Sequence, residues 1–545
     1  MGIADAALER RTALGDFITD LVGRLEPLQR RHNDAVWLAN VTGEQRYEQE
    51  SARLDAEIRT MFSAREPYEF LKGLAAAGGV DDAHLARQLT LLIHDYRAHQ
   101  IPPEMIQRIV GIEKALESRF NNFRAALDGR RVTDNEIRQV LRDSDDSAAR
   151  RLAWEASKQI GAEVAEDLRA LVRLRNRAAV SLGFSNYYSM MLELDELDER
   201  ELFALLDDLD TGTQPLFETY KGALDARLAK RFGLATEALR PWHYTDPFFQ
   251  EAPAAEVELD PWFRDRSLED LTLRFFAAIG FDIRDLVARS DLYEKPGKSQ
   301  HAFCISMDRG ADVRVLCNIQ PSEYWMATML HEYGHAVYDQ QIDRSLPYLL
   351  RVPAHILTTE ASAMLFGRLS KSAAWLTAYA GVPEDEARAG ADALARAGRD
   401  QLLVQTRWEL VMCNMERALY RDPEQDLDAL WWDLVERYQW VRRPEGRCAP
   451  DWASKIHFSV APVYYHNYML GEMMASQLQR HLLDRVLGGG VGAWRRFVAS
   501  PEVGAFMTRQ IYRGGKERDW RETLRRATGQ TLTAAAFVEE LAGRS

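Results

Sequence analysis

From Ala149 to Gly183 the chain reads ARRLAWEASKQIGAEVAEDLRALVRLRNRAAVSLG, with apolar residues at three- and four-residue spacing and no proline. That spacing lays one apolar stripe along a 3.6-residue helix, and Ala, Leu, Arg and Glu are strong helix formers. The same pattern covers most of the 545 residues. It constrains the chain to a mainly α fold. Thr42-Gly-Glu-Gln45 and Thr133-Asp-Asn-Glu136 have the capping-box pattern and are predicted to open helices. SNYYSMMLELDEL begins another. Breaks fall at RPWHYTDPFFQEAPAAEVELDPWF and at YEKPGKSQ, both marked by Pro or Gly. There is no repeat of fixed period and no low-complexity linker, so the simplest expectation is one large helical domain spanning residues 1–545.

One short region departs from the helical pattern. His301–Met307 (HAFCISM) and Val313–Ile319 (VRVLCNI) are β-prone runs, and DRGAD between them supplies a turn. A hairpin there can offer a strand edge to a peptide, or simply pack on the helices. The four cysteines include Cys304 and Cys317 in this hairpin. They either face each other or stay free thiols.

Just downstream comes MLHEYGHAVY, Met329 to Tyr338. On a helix, His331 and His335 lie one turn apart on one face and can reach one metal ion. Glu332 points beside that ion, where it can polarise a water molecule. The flanking Met329, Leu330, Ala336 and Val337 are apolar, so the helix is expected to be buried, and buried histidines need partners. Zinc is the expected cofactor.

A catalytic zinc takes a third protein ligand and keeps one position open. Glu360 is the one acid between Asp343 and Glu384 and lies in an apolar stretch predicted to be helical. An isolated carboxylate there is costly unless something binds it. Glu360 is the candidate ligand; His355, or Glu360 as a salt-bridge partner, are the alternatives. Near the C-terminus, SKIHFSVAPVYYHNYML gathers Lys455, His457, Tyr465 and Tyr468, hydrogen-bond donors that also fit an ordinary aromatic core.

Composition excludes some classes. The formal net charge is −14, which opposes broad nucleic-acid binding. No apolar run approaches the length of a membrane span, and the N-terminus lacks a signal-peptide pattern, so a cytoplasmic location is expected.

These motifs resemble the M2 zinc metallopeptidases, the angiotensin-converting-enzyme-like dipeptidyl carboxypeptidases. HNDAVWLANVTGEQ resembles that family's N-terminal helices, GKSQHAFCISM its substrate strand, HEYGHAVY with TTEASAM its zinc site, and SKIHFSVAPVYYHNY its K-x-H and Y-x-x-Y. The resemblance implies an α-helical ellipsoid with a deep central channel that admits short peptides. It implies zinc on His331, His335 and Glu360, with Glu332 as base. His457 and Tyr468 would stabilise the oxyanion, Lys455 and Tyr465 would hold the terminal carboxylate, and His301 and Ala302 would contact the peptide backbone. Three features depart from the family, the first being that the Y-x-x-Y aligns only with a one-residue shift. Met364 stands where it has an aspartate behind the metal, and its carboxylate-binding glutamine has no evident counterpart. HEYGHA and EASAM also resemble the M3 oligopeptidases of the oligoendopeptidase F type. Loss of hydrolysis on the same scaffold, leaving a zinc- or peptide-binding or biosynthetic protein, is the remaining alternative.

Overall fold

The computed structural model describes residues 3–253 and 258–543. Part of the long loop RPWHYTDPFFQEAPAAEVELDPWF, residues 254–257, lies outside them. The described residues are mainly α-helical, with two small two-stranded antiparallel sheets. They form two compact units. The first comprises Met1–Gln100, Glu256–Ala395 and Leu470–Ala536; the second comprises Ile101–Ala255, Arg396–Met469 and Phe537–Ser545.

In the first unit the N-terminal helix Ile3–Thr42 packs on the helix Gln45–Phe62. Leu14, Leu21, Leu25, Leu71, Leu92 and Tyr96 form a buried cluster with Tyr348 and Leu349. The Thr42 capping box does not form: Thr42 ends the first helix, and its hydroxyl donates to Leu38 O at 2.7 Å. Gly43, at φ +68°, stops that helix, and Glu44 takes the N-cap place without a side-chain bond. The β-prone runs form the expected hairpin, Phe303–Ser306 against Val313–Leu316, with Cys304 paired to Val315. All four cysteines are free. The hairpin packs on the helix Glu323–Gln341, which carries the HExxH motif.

In the second unit the helix Ser147–Ser181 is central. Trp154 is buried among Trp242 and Trp432, with ring centres 5.9 and 6.1 Å away. The capping box at Thr133 and Glu136 is present and opens the helix Asp134–Asp143.

Candidate metal and peptide site

The HExxH helix and the Glu360 helix, Ile356–Gly367, make the most extensive helix pairing in the first unit. Glycine permits it. A Cβ on Gly334 would lie 2.7 Å from Ala363 Cα, and one on Gly367 would lie 3.2 Å from His331 Cβ. A third glycine, Gly471, clears the other side of Glu360, where a Cβ would sit 3.0 Å from Glu360 Cβ. His355 is the N-cap of the Glu360 helix, and its Nδ1 accepts from Leu357 N–H at 3.1 Å. His355 is therefore a capping residue and stands outside the donor cluster.

His331, His335 and Glu360 converge, with one ligand atom from each within 4.8 Å of the others. The two Nε2 atoms are 3.3 Å apart, and the Glu360 carboxylate lies 3.9 Å from each. An ion with zinc–nitrogen bonds of about 2.0–2.1 Å in tetrahedral geometry holds its donors about 3.3 Å apart, so the triad fits zinc. The protonation states fit too. Burial holds the His331 imidazole down at about 4 and His335 well below its ordinary value, so both are neutral ligands near pH 7. His335 Nδ1 lies 2.7 Å from Thr359 Oγ1. With Nδ1–H donating there, Nε2 keeps its lone pair for a metal. Thr359 thus holds the His335 ring from behind.

Glu332 is 8% exposed and does not join the triad. Burial, with the Glu360 charge second, pushes its carboxyl up to about 8. A cavity of about 640 Å³ opens onto the triad, Glu332, Asp339 and the strand residues Ala302, Phe303, Cys304 and Ser306. Its far wall comes from the N-terminal helices, through Gln29, His32, Asn33, Asp55 and Ile58. Ala302 lines it; His301 is exposed, and its N–H reaches Ser299 Oγ at 3.4 Å.

The other four predicted residues belong to the second unit and form a cluster of their own. The His457 and Tyr465 rings are 4.8 Å apart, and Tyr465 and Tyr468 are 5.8 Å apart. Trp408 Nε1–H donates to Tyr465 Oη at 3.3 Å. The Lys455 ammonium sits over Phe248 and Trp408, 4.8 and 5.0 Å from the ring centres, and donates to Gln250 Oε1 at 2.7 Å. Burial lowers Lys455 to about 8, and burial with Lys455 nearby lowers His457 to about 4. His457 Nδ1 is buried with no hydrogen-bond partner among the described residues. Gln250, the partner of Lys455, was not singled out from the sequence. It lies 205 residues from Lys455 in a loop without periodic signal, so no local pattern points to it.

No described helix is long and apolar enough to cross a membrane. Residues 32–376 match the family described as carboxypeptidase Taq (M32) metallopeptidase, and residues 266–540 match the M2 family described as angiotensin-converting enzyme. The two matches share residues 266–376, which hold the hairpin and the whole donor triad. Carboxypeptidase 1 of Bacillus subtilis (strain 168) is 23% identical over 313 residues, covering 52% of this chain and 58% of that protein. The M2-like motifs therefore sit in a chain whose longer match is to another metallopeptidase family. The donor geometry and a match over residues 32–376 agree: the chain belongs to the M32 carboxypeptidase Taq family of metallopeptidases.

Proposed function

We propose that the protein is a zinc-dependent carboxypeptidase that shortens small peptides, releasing C-terminal dipeptides. The observation that carries the proposal is the His331, His335 and Glu360 triad with Glu332 beside it, in a cavity edged by a β-strand. The three donors would hold zinc, which supplies an acidified water and a Lewis acid for the peptide carbonyl. Glu332 takes a proton from the attacking water and passes it to the departing amine. Ala302 and the strand Phe303–Ser306 offer backbone groups to an extended peptide, with His301 at the strand's entrance. His457 and Tyr468 donate to the oxyanion, and Lys455, Tyr465 and Gln250 hold the terminal carboxylate. The cavity accommodates a few residues of chain and no folded domain, so the substrates are short peptides. Nucleic acid and membrane play no part.

Release of single residues is the second reading, favoured by the M32 match and by the relative named carboxypeptidase 1. Zinc-loaded protein, given peptides with free and amidated C-termini and followed by mass spectrometry with a chelator control, decides between them. Successive loss of dipeptides, strongly slowed by amidation and abolished by chelation, is the expected result. Single-residue loss moves the protein to the second reading. Internal cuts indifferent to amidation move it to the oligoendopeptidase F type. Tight zinc binding without cleavage sinks the hydrolase reading and leaves the binding or biosynthetic alternative.

A further inference from the structure

The stretch that carries Lys455, His457, Tyr465 and Tyr468 has little regular structure to hold it. Asp451–Ser454 is a 3₁₀ turn, His457–Val460 a single helical turn, and the helix His466–His481 begins only at its end. Its backbone is held from outside by two buried charged residues. Arg175, on the helix Ser147–Ser181, is 0% exposed. It donates from Nη1 to Phe458 O at 3.0 Å and from Nη2 to Ser459 O at 2.6 Å. Tyr420 Oη and Glu113 Oε1 complete its shell at 2.8 and 2.6 Å.

Glu416, one turn before Tyr420 on the helix Glu384–Arg421, is 3% exposed. Its Oε1 accepts from Val463 N–H at 2.8 Å. Val463 has φ +56°, a left-handed conformation that a β-branched residue rarely adopts. Such strain persists where the surroundings over-determine the backbone, and it concentrates at functional sites. Here the two residues that follow Val463 are Tyr464 and Tyr465. One clamp thus fixes the chain just after His457, and the other fixes it just before Tyr465.

We infer that Arg175 and Glu416 are positioning residues for the reaction: they hold the His457–Tyr468 segment in the conformation that presents its donors to the peptide. This rests on the carboxypeptidase reading. Both act through backbone groups, so they are not catalytic residues themselves. Misplacement of donors by about 1 Å is enough to cost about 10²-fold in rate.

The test compares Glu416→Gln, which keeps an acceptor oxygen for Val463 N–H, with Glu416→Leu, which removes it. Val463→Pro is the second probe, because proline lacks the N–H and cannot adopt a positive φ. Each variant is purified with zinc, and its zinc content and unfolding midpoint are measured before kcat and KM. Glu416→Gln is expected within about threefold of wild type. Glu416→Leu and Val463→Pro are expected to lose about 10²-fold in kcat while folded and fully zinc-loaded. Where Glu416→Leu does not fold, Val463→Pro carries the comparison. Folded, zinc-loaded variants that turn over peptide like wild type overturn the positioning role alone. So does a kcat loss that only tracks lost zinc. A wild-type protein that binds zinc and cleaves no peptide overturns both this inference and the reading beneath it.

Discussion

The zinc donors and the Lys455–Tyr468 cluster reach their geometry by opposite routes. The donors come from two regular helices, and the spacing of His331 and His335 follows from helix geometry alone. The cluster comes from a loop whose backbone is bonded by Arg175 and Glu416, on two other helices, and whose Lys455 ammonium is bonded by Gln250, 205 residues away. The comparisons with known proteins divide in the same way. Both families match the donor region, and M2 alone matches the cluster. The donor triad thus lies in the stretch that both families match, and the cluster in the stretch matched by M2 alone.

The largest effect should come from the region both families share. Glu332→Gln keeps the shape and removes the base. Turnover is expected to fall about 10³- to 10⁴-fold, with one zinc still bound per chain by metal analysis. A variant that retained more than a tenth of wild-type turnover would show that another group moves the proton. In the second unit, Lys455→Met is expected to lower kcat/KM about 10²-fold for peptides with a free C-terminus. Amidated peptides should be nearly unaffected by it. Equal losses on both would mean that the cluster does not read the carboxylate.

A smaller change tests the support behind the metal. Thr359→Val removes the hydroxyl that His335 Nδ1 reaches at 2.7 Å. Zinc affinity, read by competition with a chelator, should fall about 10- to 100-fold. No change would mean that the Thr359 hydroxyl does not support the ligand.

What could be read from residues alone follows the same line. The helical architecture, the hairpin and the HExxH helix carry strong local signals: periodicity, β-branched runs and a fixed spacing. Glu360 was legible because one acid in an apolar helix needs a partner. Thr359 was not, because a threonine near a helix start is as easily a cap. The cap itself is His355, whose ring nitrogen accepts from the Leu357 N–H. Gly334, Gly367 and Gly471 gave no signal either, since a glycine within a helical pattern does not say what approaches it. Gln250, Arg175 and Glu416 act across long sequence separations, on backbone or side-chain groups that no periodicity marks. Local chemistry was readable; anything that depended on tertiary approach was not.

The smallest predicted effect is a pH dependence confined to the second region. Burial lowers Lys455 to about 8, with Asp246 acting in the opposite direction. Below that value the ammonium is charged and can pair with a carboxylate; above it the charge is lost. For peptides with a free C-terminus, kcat/KM should therefore decline above pH 8, approaching about tenfold per pH unit. For amidated peptides this limb should be absent. Lys455→Arg, whose guanidinium stays charged, should move the limb beyond the measurable range even if it lowers the plateau. A limb shared by both kinds of peptide, and indifferent to Lys455→Arg, would place the titrating group among the zinc-site residues. The two regions would then be distinguished by geometry but not by the work they do at alkaline pH.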